Sequence, residues 1–316
     1  MARPLRIDFP GAFHHVMNRG ADHQDTYRNR LDKALFLTLW EQATSRFGIE
    51  VISYALMGNH YHVFVHCPDG QLSRTMQYIG RAYTQEFNLH HDRDGALFRG
   101  RFHSVLVDSE MYFARVARYI ELNPVAAGIC AMDELRRYEW SSYRYSSGEV
   151  DSPYWLSTRH LRTRFTQIDY RDFVEAGAPD DRLKKFYDRS RKTRNILGSP
   201  AFVERISKSH PNIPVMDGCA IESPTLPEIE AAVIEVAGVS YRTIAAPSRL
   251  RHPARTTVII LCSLLTDEPR ALLADRFGFS SASSFVKAVT QAKTAPVAEE
   301  VATLQAQVLE RLRNRG

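Results

Sequence analysis

The apolar residues of the first 125 positions fall into short alternating stretches and longer stretches of helical spacing. Alternation predicts strands over 12–18, 50–56, 60–66 and 102–107, and helical spacing predicts helices over 27–47 and 72–89. A further helix is expected from Asp108 or Ser109 to Pro124, where the proline should end it. The order βαββαβ followed by a helix predicts an α+β fold with a ferredoxin-like antiparallel sheet and helices on one face.

The remainder of the chain is predicted to be helical. Proline and glycine cluster over 211–227 and indicate a linker. We therefore expect a first domain over 1–150, a basic helical connector over 151–215 and an all-α domain over 216–316. In the last of these, a helix opening at Asp267-Glu268-Pro269, a break at Gly278 and a new helix from Ser280 to Ala292 give a helix-turn-helix outline.

Composition excludes several classes of protein. The longest apolar run, over 258–265, is too short to cross a bilayer, and the first eight residues lack the apolar core of a secretory signal. The four cysteines (Cys67, Cys130, Cys219 and Cys262) form no Cys-x-x-Cys pair, so neither a zinc knuckle nor a disulfide framework is indicated. We expect a reduced, cytoplasmic protein that does not bind membranes.

Charge and histidine content single out different parts of the chain. The formal net charge is +5, and it arises over 151–215, where 13 basic residues face 8 acidic ones. This excess is only a weak argument for nucleic acid. Nine of the twelve histidines lie between His14 and His103, which marks the first domain as the one that carries chemistry.

His60-Tyr61-His62 places two imidazoles on one face of the strand over 60–66, because side chains two residues apart in a strand point the same way. Such a pair is either a metal site or two surface histidines, and spacing alone favours the surface interpretation. The histidines by themselves would suit zinc as well as any other metal. Tyr61 faces away, and we expect it to pack in the core.

Tyr119 and Asn123 lie four residues apart on the helix that follows, and therefore share a face, whereas Glu121 points elsewhere. A tyrosine with a pKa of about 10 is a weak nucleophile at neutral pH and needs a nearby cation. The amide oxygen of Asn123 could complete a metal site with the two histidines. Taken singly, each residue favours a structural interpretation, with Tyr119 as a core residue and Asn123 as a helix C-cap.

These motifs together resemble a known family. Met57-Gly58-Asn59 precedes the histidine pair, and Tyr119-Ile120-Glu121-Leu122-Asn123-Pro124-Val125 follows downstream. The combination resembles the single-tyrosine HUH transposases, in particular the REP-associated tyrosine transposases, and the resemblance extends over roughly residues 6–150. One departure is Tyr61, where the family usually carries an aliphatic residue.

The resemblance implies a metal-dependent enzyme acting on single-stranded DNA. It implies that His60, His62 and Asn123 hold a divalent ion, Mg²⁺ or Mn²⁺. Tyr119 would then cleave and rejoin hairpin-forming (REP-like) DNA through a 5′-phosphotyrosine intermediate. The protein would act as a monomer or a homodimer in the nucleoid. Two other functions stay open: a DNA-binding protein without chemistry, and a nuclease that uses water, whose cleavage would survive Tyr119→Phe.

Side chains for contacting DNA are predicted from their type, since arginines follow phosphates and bases stack on rings. A second, weaker resemblance, of 248–255 and 273–280 to the DNA-binding domain of the replication initiator DnaA, implies duplex binding through the last domain. That family's Arg-Asp-His signature is absent, and a purely structural helical domain is an equal alternative. The candidates are Arg81, Tyr83 or Phe98, Arg99, Arg101 and His103 in the first domain, and Arg251 and Arg255 in the last. His66 is a weaker candidate for supporting the metal site, and His14, His15, His90 and His91 receive no role.

Overall fold

A five-stranded sheet forms the centre of the first part of the chain in this computed structural model. Its strands, in the spatial order β2-β3-β1-β4-β5, are Ala12–Arg19 (β1), Glu50–Leu56 (β2), His60–Cys67 (β3), His103–Val107 (β4) and Ile196–Leu197 (β5). The first four strands pair antiparallel, and β5 joins β4 in parallel. The predicted α+β class is confirmed, but the sheet is mixed. A two-residue strand is too short to show alternation in the sequence, so β5 was not expected.

The structure describes residues 6–109, 112–165, 167–175, 183–184, 186–187, 196–210, 224–245, 252–266, 270–292 and 298–313. The chain divides into two compact units, Met1–Ile221 and Glu222–Gly316. The region predicted as a connector belongs to the first unit. The helices of that unit are Arg30–Phe47 (α1), Leu72–His90 (α2), Phe113–Ala126 (α3), Tyr143–Ser146 (α4), Arg159–Arg162 (α5), Gln167–Glu175 (α6) and Pro200–Ser209 (α7).

Helices cover both faces of the sheet, whereas the sequence predicted them on one. Tyr61, Val63 and Val65 of β3 share a core with α1 and α2, and Phe64 shares the opposite core with α3. One face of β3 carries Tyr61, Val63 and Val65 and is apolar, whereas the other carries three histidines around the fully buried Phe64. Because Phe64 lies in the core with α3, this second face is covered as well. Tyr61 is 2% exposed and lies in the α1/α2 core, so its predicted packing role is confirmed.

Helix α3 differs from its prediction at both ends. It begins at Phe113 and not at Asp108 or Ser109, and the carboxylate of Asp108 accepts hydrogen bonds from the backbone N–H and the hydroxyl of Ser199. It continues through Pro124 to Ala126. The proline removes one donor in the last turn, while the carbonyls of Asn123 and Pro124 still accept from Ala127 and Ile129, so the turn is retained.

The second unit is helical and has its own core. Its helices are Leu226–Ala237 (α8), Tyr241–Ala245 (α9), Pro253–Leu265 (α10), Arg270–Arg276 (α11), Ala282–Ala292 (α12) and Ala298–Arg313 (α13). Gly278 adopts φ +69 between α11 and α12, at the break predicted from the sequence. Residues Asp267, Glu268 and Pro269 lie outside the described residues. Within the described part of the chain, every helix is too short or too polar to cross a bilayer.

Candidate active site

His60 and His62 project from the first half of β3, which pairs with β1 on one side and β2 on the other. Their ring centroids lie 5.3 Å apart with the rings nearly perpendicular. His62 is 7% exposed and His60 is half-buried. The strand therefore presents two adjacent imidazoles at the centre of a sheet, on the face that α3 covers.

Tyr119 lies on α3 directly over this face. Its ring centroid is 6.0 Å from that of His62, and the planes meet at 90°. The neighbouring Ile120 is buried in the core between α3 and the sheet, which fixes the helix. Asn123, one turn further on, donates from Nδ2 to the carbonyl of Tyr119 at 2.7 Å. This bond leaves Oδ1 as the amide atom that can face a cation, which suits the role that the resemblance implies.

His15 is a member of the cluster that the sequence did not single out. It lies on β1, is fully buried, and its Nε2 is 2.9 Å from Nδ1 of His62. Its ring centroid is 6.0 Å from that of Tyr119. Burial, followed by the charge of His103, holds the pKa of His15 well below its ordinary value, so His15 is neutral. The sequence indicated only that a second strand carries histidines. The contact between His15 and His62 depends on the pairing of β1 with β3, which the sequence did not predict.

Tyr187 also reaches the cluster, from the region predicted as a connector. Its ring lies 5.0 Å from Tyr119 and 4.4 Å from His15, and the side chain is 3% exposed. It packs with α3 in the same core. No local pattern predicts this contact, because Tyr187 follows Tyr119 by 68 positions in the chain.

The hydrogen bonds of the two motif histidines determine which ring nitrogen faces the cluster. Asn59 donates from Nδ2 to the carbonyl of His23, so its Oδ1 accepts from Nδ1 of His60 at 2.7 Å. If Nδ1 of His62 likewise donates to neutral His15, both motif histidines present an Nε2 lone pair. Metal-binding histidines in proteins are commonly oriented through such a bond from the other nitrogen. The donors present therefore fit a divalent ion.

Three of the residues predicted to contact DNA lie near this end of the sheet. His103 of β4 is opposite Met17 of β1, which is opposite His62 of β3. The backbone N–H of Arg99 donates to the carbonyl of Arg19 at 2.9 Å, and Arg19 pairs with His60. Both Arg99 and Arg101 are exposed. The loop over 97–101 thus lies beside the half of β3 that carries the histidines.

Other predicted DNA contacts in the first unit are placed elsewhere. Tyr83 is fully buried and donates its hydroxyl to the carbonyl of Thr26, and Phe98 is 9% exposed in the same core. Neither ring can stack on a base, so both predictions are wrong. The sequence alone does not distinguish a buried ring from an exposed one in an amphipathic helix or a loop. Arg81 is exposed on α2, on the opposite face of the sheet from Tyr119.

The two arginines predicted in the second unit have different outcomes. Arg255 is 2% exposed and donates to the carbonyls of Ile244 and Phe277. It therefore holds the core of this unit together and is not available to a DNA backbone. Arg251 lies outside the described residues, and its role stays a prediction.

Glu121 points away from Tyr119, as expected, and is fully buried. Its carboxylate accepts hydrogen bonds from the hydroxyls of Ser142, Ser146 and Tyr170. Burial raises its pKa to about 7, although the three hydrogen bonds act in the opposite direction. Glu121 thereby ties α3 to α4 and α6 behind the cluster.

Glu121→Gln is expected to change how stability depends on pH. With a folded pKa of about 7 and an unfolded value of 4.5, the native state binds the extra proton between these pH values. The wild type therefore loses stability as pH rises from 4.5 to 7, by up to about 3 kcal/mol. The glutamine variant lacks this loss. The urea midpoint of the variant minus that of the wild type should therefore increase between pH 5 and pH 8. Glu149→Gln, at an exposed position, should follow the wild type, and an unchanged slope in the Glu121 variant would contradict the assignment.

Two comparisons with known proteins found similarities to this chain. Residues 12–123, 112 of the 316, match the family described as "Transposase IS200 like". The matched segment contains His60, His62, Tyr119 and Asn123, and the predicted resemblance to single-tyrosine transposases is confirmed for it. One solved structure, "Structure of the REP associates tyrosine transposase bound to a REP hairpin", is similar at 14% identity and a TM-score of 0.38, over 50% of this chain and 92% of that chain. The search of curated proteins found no match.

Proposed function

We propose, from the family match of residues 12–123 and the geometry around Tyr119, that this chain cleaves and rejoins single-stranded DNA through a phosphotyrosine intermediate. The match supports a DNA-processing function of the transposase type. The finer proposal depends on one observation, the position of the Tyr119 ring 6.0 Å from the ring of His62. A nucleophile and a histidine pair on facing elements are what such a strand transferase requires.

His60, His62 and Asn123 would hold a divalent ion, which we propose to be Mg²⁺ or Mn²⁺ on the strength of the motif resemblance. Two neutral imidazoles and an amide carry no negative charge, so binding by these residues alone should be weak. Phosphate oxygens of the DNA would supply the missing charge. When bound, the ion would act as a Lewis acid on the scissile phosphate.

Tyr119 is the proposed nucleophile. Its hydroxyl oxygen forms a bond to phosphorus, and the bond from phosphorus to the 3′-oxygen breaks. The phenolic proton is lost and the departing oxygen gains one, which yields a 5′-phosphotyrosyl link and a free 3′-hydroxyl. The link conserves the energy of the broken bond, so a 3′-hydroxyl can attack it and rejoin strands without ATP.

The DNA would approach the end of the sheet where the loop over 97–101 lies. Arg99 and Arg101 are exposed there and could neutralise phosphates. A hairpin-forming, REP-like target follows from the motif resemblance. The second unit would add duplex binding, with Arg251 as the candidate contact.

The direct test incubates the full-length protein with a single-stranded hairpin oligonucleotide from the gene's own flanks, labelled on either side of the expected cut. With Mn²⁺ or Mg²⁺ we expect a labelled protein band on a denaturing gel, formed from the label on the 3′ side of the cut. The other fragment should carry a free 3′-hydroxyl that a polymerase extends. Chelation should abolish both. A shifted native complex without a covalent band, across several flanking hairpins, would favour a DNA-binding protein without chemistry.

His15→Leu is expected to weaken metal-dependent activity by about 10- to 100-fold, the usual cost of losing a group that orients a metal-binding histidine. The variant removes the partner of Nδ1 of His62. His15→Gln retains an acceptor and should recover part of the loss. The measurement is the concentration of Mn²⁺ needed for half-maximal cleavage, which should rise in the leucine variant. A fall in rate at unchanged Mn²⁺ dependence would mean that His15 only packs.

A further inference from the structure

A second group of metal-binding side chains lies in the first unit, away from Tyr119. Asp8, His14 and Cys67 each offer one donor atom, and these atoms lie within 4.8 Å of one another. His14 and Cys67 are 1% exposed, whereas Asp8 is half-buried. The group joins the segment before β1, the strand β1 and the end of β3.

The sheet explains why these residues meet. Ala12 pairs with Cys67 and His14 pairs with Val65, so His14 and Cys67 are diagonal neighbours on one face. His14 and His15 are consecutive residues of β1 and therefore point to opposite faces. The group is accordingly on the other side of the sheet from the histidines that face Tyr119.

Three polar atoms of this group lack hydrogen-bond partners among the described residues. Both ring nitrogens of His14 and Oδ1 of Asp8 are buried without a partner among the described residues. Oδ2 of Asp8 accepts a hydrogen bond from the backbone of Ser73 at 3.4 Å, and the backbone of Leu72 also interacts with this carboxylate. Buried polar atoms without partners are rare in native proteins and point to a water or an ion.

A contrasting group shows what a self-sufficient cluster looks like. Glu50, His66 and His160 also lie within reach of one ion, but the carboxylate of Glu50 accepts from both histidines at 2.7 and 2.8 Å and pairs with Arg159. The carboxylate of Glu50 therefore already has three partners within the protein. His66 was a weaker candidate for supporting the metal site. In the structure its Nδ1 instead bonds to the carboxylate of Glu50.

We propose that Asp8, His14 and Cys67 bind a divalent transition-metal ion of the zinc class. Thiolate, imidazole and carboxylate are the ligands zinc prefers, and in a tetrahedral site their donor atoms lie about 3.3–3.7 Å apart. To reach that spacing from separations below 4.8 Å, the side chains need only small adjustments. The site fastens the segment before β1 to the sheet and leaves a fourth position for water.

The charges of the three ligands are compatible with such an ion. A coordinated thiol loses its proton, so Cys67 and Asp8 together would neutralise a divalent ion. Arg6 is the nearby opposing charge, and its guanidinium is held against the ring and carbonyl of Phe102.

Cobalt spectroscopy of the metal-stripped full-length protein tests the proposal, because only a thiolate ligand gives a sulfur-to-cobalt charge-transfer band in the near ultraviolet. One equivalent of Co²⁺ should produce this band in the wild type. Cys67→Ala should abolish it and weaken binding at least tenfold. Cys262→Ala, which removes a buried cysteine of the second unit, should leave it intact. The band should also persist in a His60→Gln/His62→Gln variant, which separates this site from the one proposed for DNA cleavage.

Thermal unfolding gives an independent readout. In chelator, His14→Leu should melt at or above the temperature of the wild type, because it removes two buried nitrogens without partners. Zinc should raise the melting temperature of the His60→Gln/His62→Gln protein, but not when His14→Leu is added. Absence of the charge-transfer band in the wild type, or its survival in Cys67→Ala, would overturn the proposal.

Discussion

Tyr119→Phe is expected to abolish the covalent protein–DNA adduct and to lower strand cleavage by at least about 1,000-fold, as loss of a nucleophile does in other covalent enzymes. The substitution removes the hydroxyl and retains the ring that packs against His62, His15 and Tyr187. The fold and the affinity for the hairpin should therefore change little. Adduct formation on denaturing gels and binding by native shift, measured side by side, separate these effects.

Tyr187→Phe is the matched control, because it removes a hydroxyl from the ring 5.0 Å from Tyr119. It should still form the adduct. Metal-dependent cleavage that persists in Tyr119→Phe would instead identify water as the nucleophile. Loss of the adduct in both variants would contradict the assignment, because the effect would not distinguish Tyr119 from its neighbour.

The elements around the site could be predicted because their patterns are local. β2 matches its predicted range and β3 extends it by one residue, since the alternation of apolar and polar residues leaves little freedom in where each strand begins and ends. The prediction of a strand over 60–66 and of a helix up to Pro124 placed His60 and His62 on the strand and Tyr119 on the helix, as the structure has them. Local patterns were sufficient for the motif residues themselves.

The partners of these residues could not be predicted, because they depend on strand order and on contacts distant in the chain. His15 reaches His62 only because β1 lies beside β3 in the sheet. Tyr187 arrives from a segment whose composition suggested an exposed basic connector. Helix α3 continues through Pro124 because a proline in the last turn removes only one backbone hydrogen bond.

The candidates for DNA contact illustrate a second limit, since side-chain type does not report burial. Tyr83 and Arg255 have side chains that could bind DNA, but both form hydrogen bonds inside the protein. Tyr83 donates to the carbonyl of Thr26, and Arg255 donates to the carbonyls of Ile244 and Phe277. A guanidinium with five donors can satisfy several backbone carbonyls at once. A buried arginine therefore cannot be recognised from its neighbours in the sequence.

Arg255→Met is accordingly expected to destabilise the second unit by about 2–4 kcal/mol, because it leaves the carbonyls of Ile244 and Phe277 buried without donors. Methionine retains most of the buried apolar volume, so the loss reports the hydrogen bonds. Arg242→Met, at an exposed position of α9, should cost less than about 0.5 kcal/mol. Urea unfolding followed by circular dichroism measures both.

The same pair of variants decides between a structural and a DNA-contacting role for Arg255. A phosphate contact would lower duplex affinity and reduce the salt dependence of binding by about one ion, without loss of stability. A core role predicts the reverse: a lower unfolding midpoint, with an unchanged salt slope wherever the protein remains folded. Because two carbonyls on different elements, α9 and the turn after α11, converge on one buried guanidinium, the second outcome is the one expected.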